Sequence, residues 1–137
     1  MNLPIRVLVT GAGGFIGSHL VTSLKKKGYW VRGADIKAPE FSPSDADEFQ
    51  LLDLRRRYNC LRATAGVDEV YALAADMGGM GFISAHHAQI LYNNSLINLH
   101  TLDTARENGV TRYLYTSSAC IYPEHLQEDA KVTPLKE

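Results

Sequence analysis

Cysteine is scarce in this chain: Cys60 and Cys120 are the only two among 137 residues. Neither their number nor their spacing builds a disulfide framework or a zinc site, so a reducing, cytoplasmic compartment is expected. Charge of one sign is also lacking. Fourteen Lys and Arg face fifteen Asp and Glu, for a formal charge of -1. That balance leaves no electrostatic footprint for nucleic acid or for an anionic membrane surface. No apolar run is long enough to cross a bilayer, and the first residues lack a signal peptide's layout because Arg6 interrupts a short apolar run. No internal repeat is present. The length fits one ordinary domain, expected to span 1–137, and leaves no room for a second.

Glycine is well supplied, and its placement carries the first functional signal. The stretch Thr10-Gly11-Ala12-Gly13-Gly14-Phe15-Ile16-Gly17-Ser18-His19-Leu20 follows the apolar run Ile5 to Val9 and opens a segment of helical spacing. A buried strand should turn into a helix here. Helix N-termini carry unpaired N–H groups and partial positive charge, and glycines let a pyrophosphate approach the backbone without meeting a Cβ. Gly11, Gly14 and Gly17 read as G-x-x-G-x-x-G, a weak signal alone, since three glycines can serve only tight turning and close packing. Its context strengthens it.

Ile16, Leu20, Val21 and Leu24 fall on one helical face, and Gly28 stands where a left-handed C-cap is expected. Tyr29 to Ala34 reads as a second strand ending in Asp35, and 37–47 as a loop rich in Pro, Ser and acids. A third strand, Glu48 to Leu52, leads through Asp53 into a helix predicted over 54–65 and closed by Gly66. Glu69 to Ala75 reads as a fourth strand, followed by the glycine-rich Asp76 to Gly81. The spacing of Ile90, Leu91, Asn94, Ile97, Asn98 and Thr101 predicts one helix over 84–108, stopped by Gly109. Arg112 to Ser118 is the fifth predicted strand. Strand and helix alternate, which implies an α/β doubly wound parallel sheet of order 3-2-1-4-5.

In such a sheet, ligands sit at the carboxyl ends of the strands. Asp35 ends the second strand at the distance expected of a ribose-binding acid. Its charge would repel a 2′-phosphate, favouring NAD over NADP, while Lys37 and Arg32 weaken that preference. Asp53 is balanced between capping the next helix and touching adenine. The run Arg55-Arg56-Arg57 reads as a solvated helix face, and the adjacent His86 and His87 point apart on a helix, so no metal site is expected. Gly78, Gly79 and Gly81 lie in a loop whose free N–H groups can meet a substrate. Ser117, Ser118 and Cys120 follow the fifth strand, where a hydroxyl can bond a reacting carbinol and a thiol can move protons; taken alone, Cys120 is more often a buried filler.

With these residues in hand, the chain resembles the extended short-chain dehydrogenase/reductases that act on nucleotide sugars, and within them the epimerases. The likeness spans the whole chain and is carried by Thr10 to His19, Leu73 to Phe82, Tyr92-Asn93-Asn94 and Ser117 to Glu124. It implies a Rossmann-like fold and NAD held at Gly11, Gly14, Phe15, Ile16, Gly17, Asp35, Asp53, Leu54, Leu73, Ala74, Ala75 and Asn94. It implies a nucleotide-sugar substrate, GDP-mannose first among candidates, along Met77, Gly78, Gly79 and Met80. Ser118 would assist oxidation at the sugar C4 carbon, which acidifies the C3 and C5 protons. Cys120 would be one of two groups that remove and replace those protons, which needs a thiol pKa near the working pH. The whole enzyme would be a homodimer.

One departure from the family pattern is severe. Its catalytic Tyr-x-x-x-Lys is absent, since no tyrosine here has a lysine four residues on; Tyr58 with Arg62 comes nearest. The expectation is therefore the N-terminal portion of a larger enzyme, cut before the catalytic helix and substrate domain and without turnover by itself. Two other readings stay open. Epimerase/reductases of GDP-4-keto-6-deoxymannose share a Ser-Ser-x-Ile-Tyr-Pro block but use NADPH. A non-catalytic dinucleotide-binding or purely structural module would need none of the absent groups.

Overall fold

Val7, Leu8 and Val9 expose no surface at all, because β1 (Arg6–Thr10) lies at the centre of a sheet covered on both faces. The computed structural model describes residues 3–118. Around β1 come α1 (Phe15–Lys26), β2 (Trp30–Asp35), β3 (Glu48–Leu51), α2 (Arg57–Thr64), β4 (Glu69–Ala72), α3 (Met80–Ala85), α4 (His87–Glu107) and β5 (Arg112–Tyr115). All pairings are parallel and the order is β3-β2-β1-β4-β5, as the alternation predicts. Alternate residues of β1 feed separate cores. Val7 and Val9 pack with Val21 and Leu24 of α1, whereas Leu8 packs with Cys60 and Ala63 of α2 and Ala105 of α4. Each fully buried Val or Leu contributes roughly 1.5–3 kcal/mol, so a strand apolar on both faces is the natural centre.

Helix ends follow the glycines. Gly28, Gly66 and Gly109 adopt φ of +86°, +67° and +73°, each just past a helix, a backbone that side chains disfavour. Four predicted elements need correction. The helix expected from residue 54 starts at Arg57, because the Asp53 carboxylate accepts the Arg55 N–H at 3.0 Å and forms a turn of its own first. The helix expected over 84–108 is two, α3 and α4, which meet at His86 with φ -131°. There the His86 ring stacks on Phe82 at 4.5 Å and its Nδ1 lies 2.9 Å from the Phe82 carbonyl oxygen. His86 and His87 thus do not share one helix. The fourth and fifth strands also stop early, at Ala72 and Tyr115.

The triple-arginine run is not one solvated helix face: Arg57, the first residue of α2, bonds Asp103 and Glu107 of α4 and ties the two helices together, whereas Arg55 precedes the helix and pairs with Asp53. Arg32 faces away from the ligand edge. It is 8 % exposed and donates to Glu48 and to the carbonyls of Ala63 and Ala65 at the end of α2, outside the crevice lining. No helix among the described residues is long and apolar enough to cross a membrane.

Two carboxylates give the fold a pH signature. Burial alone would raise the Asp47 carboxyl, but the Lys25 ammonium at 2.7 Å and the Val31 N–H at 2.7 Å outweigh it and hold it below its ordinary value. The Arg55 guanidinium does the same for Asp53, against a smaller opposing effect of burial. A carboxyl depressed in the folded state contributes its stability fully above the unfolded value, near 4, and loses it as pH falls toward the folded value. Urea midpoints are therefore expected to stay flat for these groups from pH 7 to about 5 and to fall below about pH 4. Asp47→Asn should flatten that acid limb.

Candidate functional site

The carboxyl ends of four strands converge on one crevice of about 460 Å³. Gly11 and Gly14 line it after β1, Asp35 to Lys37 after β2, Leu52 to Arg55 after β3 and Leu73 to Met77 after β4, while Gln89, Asn93 and Ile97 of α4 close the far side. Its size, and a lining that mixes apolar walls with charged and amide side chains, suit a cofactor-sized ligand.

The glycine turn is built to leave a helix end open. Gly11 takes φ +71°, and the N–H groups of Gly11 and Ala12 both donate to the Ala34 carbonyl, at 2.9 and 3.3 Å. The Gly14 N–H returns to the Gly11 carbonyl at 3.1 Å. α1 then begins with no side-chain cap and no acid in its first turn. The N–H groups of Phe15 and Ile16 are thus presented to an anion rather than to the protein. Gly17 serves contact: a Cβ there would run into the Gly11 carbonyl oxygen, so only glycine lets the helix sit on the turn.

Asp35 joins this turn to the next strand end. Its Oδ2 accepts the Gly13 N–H at 2.9 Å and its Oδ1 accepts the Lys37 N–H at 3.1 Å. It therefore caps a turn and faces the crevice as well. Each carboxylate oxygen keeps a lone pair for a further donor such as a ribose hydroxyl. Gly13 is fixed by the same contact, since a Cβ on it would strike the Lys37 carbonyl oxygen. Asp53 lies at the end of β3 and grips Arg55 by Nε and Nη2, both at 2.9 Å.

The β4 side is fixed by Thr10, whose side chain sequence reasoning gave no role, and by the Asn93-Asn94 pair. The buried Thr10 hydroxyl accepts the N–H groups of Leu73 and Ala74, each at 3.1 Å, drawing that segment against the glycine turn. Asn94, expected at the cofactor, lies outside the lining and holds Asp76 by both backbone groups, at 2.6 and 3.1 Å. Its neighbour Asn93 lines the crevice instead and donates to the Asp76 carboxylate at 2.6 Å. A polar pair facing a strand end was the available signal.

The expected residues are only partly brought together. Gly11, Gly14, Asp35, Asp53, Leu54, Leu73, Ala74, Ala75 and Met77 line the crevice. Phe15, Ile16 and Gly17 stand beside it in the first turn of α1. The free substrate loop expected over Met77 to Gly81 is shorter: Asp76 is clamped, Gly78 packs against Phe82, Gly79 caps α3, and Met80 and Gly81 are helical. Ser118 is exposed past β5 and is not part of the lining, and Cys120 lies outside the described residues. Among the described residues no cluster of His, Cys, Asp or Glu could hold a metal ion.

A five-stranded parallel sheet with an uncapped helix start, a glycine turn and an acid at the next strand end defines a Rossmann-like dinucleotide-binding protein. Residues 7–137 match the NAD dependent epimerase/dehydratase family, and the chain belongs to it. It is 52% identical over 135 residues to GDP-mannose 3,5-epimerase 1 of Oryza sativa subsp. japonica, covering 97% of this chain and 35% of that protein. It is 50% identical over the same span to GDP-mannose 3,5-epimerase of Arabidopsis thaliana, covering 97% of this chain and 36% of the relative. The chain thus spans about a third of the length of the curated relatives it matches. Among solved structures, UDP-glucose 4-epimerase of Thermus thermophilus in complex with NAD superposes with a TM-score of 0.70 at 30% identity, over 80% of this chain and 36% of that one.

Proposed function

We propose that residues 1–137 form an NAD-binding domain of a nucleotide-sugar epimerase acting on GDP-mannose. The observation that carries the cofactor half is the crevice itself, where the open start of α1 and the Asp35 carboxylate face one cavity large enough for a dinucleotide. The substrate half rests on the likeness to the two plant GDP-mannose 3,5-epimerases. In this reading the first turn of α1 binds the pyrophosphate, with Gly11, Gly14, Phe15, Ile16 and Gly17 supplying close approach and N–H groups. Asp35 accepts the adenosine ribose hydroxyls, Asp53 and Leu54 lie at the base, and Leu73, Ala74 and Ala75 form the wall behind it. Asn94 acts from behind by holding Asp76 in place. NAD, when bound, supplies a two-electron hydride acceptor.

Ser118 donates a hydrogen bond to the reacting carbinol and Cys120 moves a proton at the neighbouring carbon. Met77, Gly78, Gly79 and Met80 border the sugar. The sequence holds no Tyr-x-x-x-Lys, so this chain by itself binds cofactor without turning over substrate. Leu91, Leu99 and Leu102 form an exposed apolar stripe along α4, which supports a dimer of the whole enzyme.

Calorimetric titration of the 137-residue chain with NAD and NADP tests the reading. NAD is expected to bind at least tenfold more tightly, since a 2′-phosphate beside Asp35 meets a like charge; tenfold is about 1.4 kcal/mol. GDP-mannose incubated with the NAD-loaded chain is expected to come back unchanged. A preference for NADP would move the assignment to the epimerase/reductases, and conversion of the sugar by this chain would refute the split between binding and turnover.

A further inference from the structure

We propose that Arg55 is the stacking platform for the adenine base of the dinucleotide, a role that rests on the NAD reading above. The geometry follows from strand order. The glycine turn, Asp35 and the Leu52 to Arg55 segment end β1, β2 and β3, which are consecutive neighbours in the sheet. Neighbouring strands lie about 4.8 Å apart, so the three stations span roughly 10 Å. With the pyrophosphate at the first and the ribose at the second, the base arrives at the third.

What it meets there is Leu52, Leu54 and one guanidinium held by the Asp53 carboxylate. Arg55 and Lys37 are the only cations lining the crevice among the described residues, and Lys37 is paired with Glu40 at 2.8 Å. Arg55 is held from several sides. Asp53 accepts its N–H at 3.0 Å, and its Nε and Nη2 at 2.9 Å each. His100 Nδ1 lies 3.0 Å from its carbonyl oxygen, which anchors the backbone to α4. Asp53 takes the Nε–Nη2 edge, one of the two edges by which a guanidinium grips a phosphate. The planar face remains, and a guanidinium face stacks on electron-rich rings. Pre-anchoring lowers the ordering cost that a free arginine would meet on binding.

The experiment separates plane from charge. NAD and AMP are titrated into the wild-type chain and into Arg55→Lys, Arg55→Gln and Arg55→Trp, with the melting temperature of each unliganded variant recorded to establish folding. Arg55→Lys keeps the charge and loses the plane, and is expected to weaken both ligands roughly 3- to 25-fold, as is Arg55→Gln. Arg55→Trp loses the charge and keeps a plane, and is expected to stay within about threefold of wild type. Full affinity in the lysine variant with loss in the tryptophan variant would assign Arg55 to charge recognition and overturn the proposal, as would unchanged affinity in every folded variant. Absence of NAD binding to the wild-type chain would instead refute the cofactor reading itself.

Discussion

Gly17→Ala is expected to melt well below the wild-type chain while the neighbouring Gly14→Ala melts close to it. A Cβ at position 17 would lie 2.7 Å from the carbonyl carbon of Gly11 and 2.9 Å from the Cα of Ala12, besides striking the Gly11 oxygen. All three are backbone atoms of a turn that is itself bonded to Ala34, so nothing flexible can give way. Overpacking of this kind costs about 3 kcal/mol or more, against roughly 1 kcal/mol gained from replacing glycine by alanine in a helix. The net loss of about 2 kcal/mol lowers the melting temperature by roughly 5–12 °C for a domain of this size. At Gly14 the nearest atom to a Cβ is the Gly11 oxygen at 3.3 Å, and φ is an ordinary -84°. Gly14→Ala should therefore melt within a few degrees of wild type and bind NAD more weakly, because the methyl occupies the approach to the helix start. Thermal melting paired with calorimetric titration checks both, and equal melting of the two variants would contradict the packing argument.

Arg32→Met is the second large effect. The arginine is nearly buried, and its removal leaves Glu48 without its cation and the carbonyls of Ala63 and Ala65 without a donor. Glu48 is 38 % exposed and can recover some water. The cost is thus expected toward the lower part of the range for a broken buried pair, about 2–4 kcal/mol in urea titration. Replacing both partners, Arg32→Met with Glu48→Met, should return part of that loss, since a well-packed apolar pair carries no stranded charge. NAD affinity of the folded fraction is expected to be unchanged, because Arg32 bonds the end of α2 rather than the crevice.

Arg32 also marks where sequence reading ends. The alternation of apolar strands and periodic helices, punctuated by Gly28, Gly66 and Gly109, made the sheet and its order legible, because backbone conformation and burial leave local traces. The direction of a long side chain leaves none: Arg32 sits three residues before Asp35, yet it bonds α2. The break at His86 was invisible for a similar reason. No glycine or proline marks it, and a ring stacked on Phe82 accompanies it. In the crevice, the strand-end residues could be read off the order of elements, whereas Asn93, Gln89 and Ile97 come from a helix whose rotation is set by packing against α2 and β4. Thr10 was quoted only as the start of the glycine stretch, and its role as a double acceptor needs β4 in place.

The Asp35 carboxylate has a consequence for redesign. Changing dinucleotide preference is commonly approached as a swap of the acid at the end of the second strand for a small neutral residue. Here the same oxygens hold the Gly13 and Lys37 amides. Position 35 is therefore no independent dial: an engineer who removes the charge also loosens the loop that must receive the new phosphate. A working switch has to supply a neutral acceptor of equal reach together with the new cation, so the shortest route to altered specificity passes through at least two coupled positions.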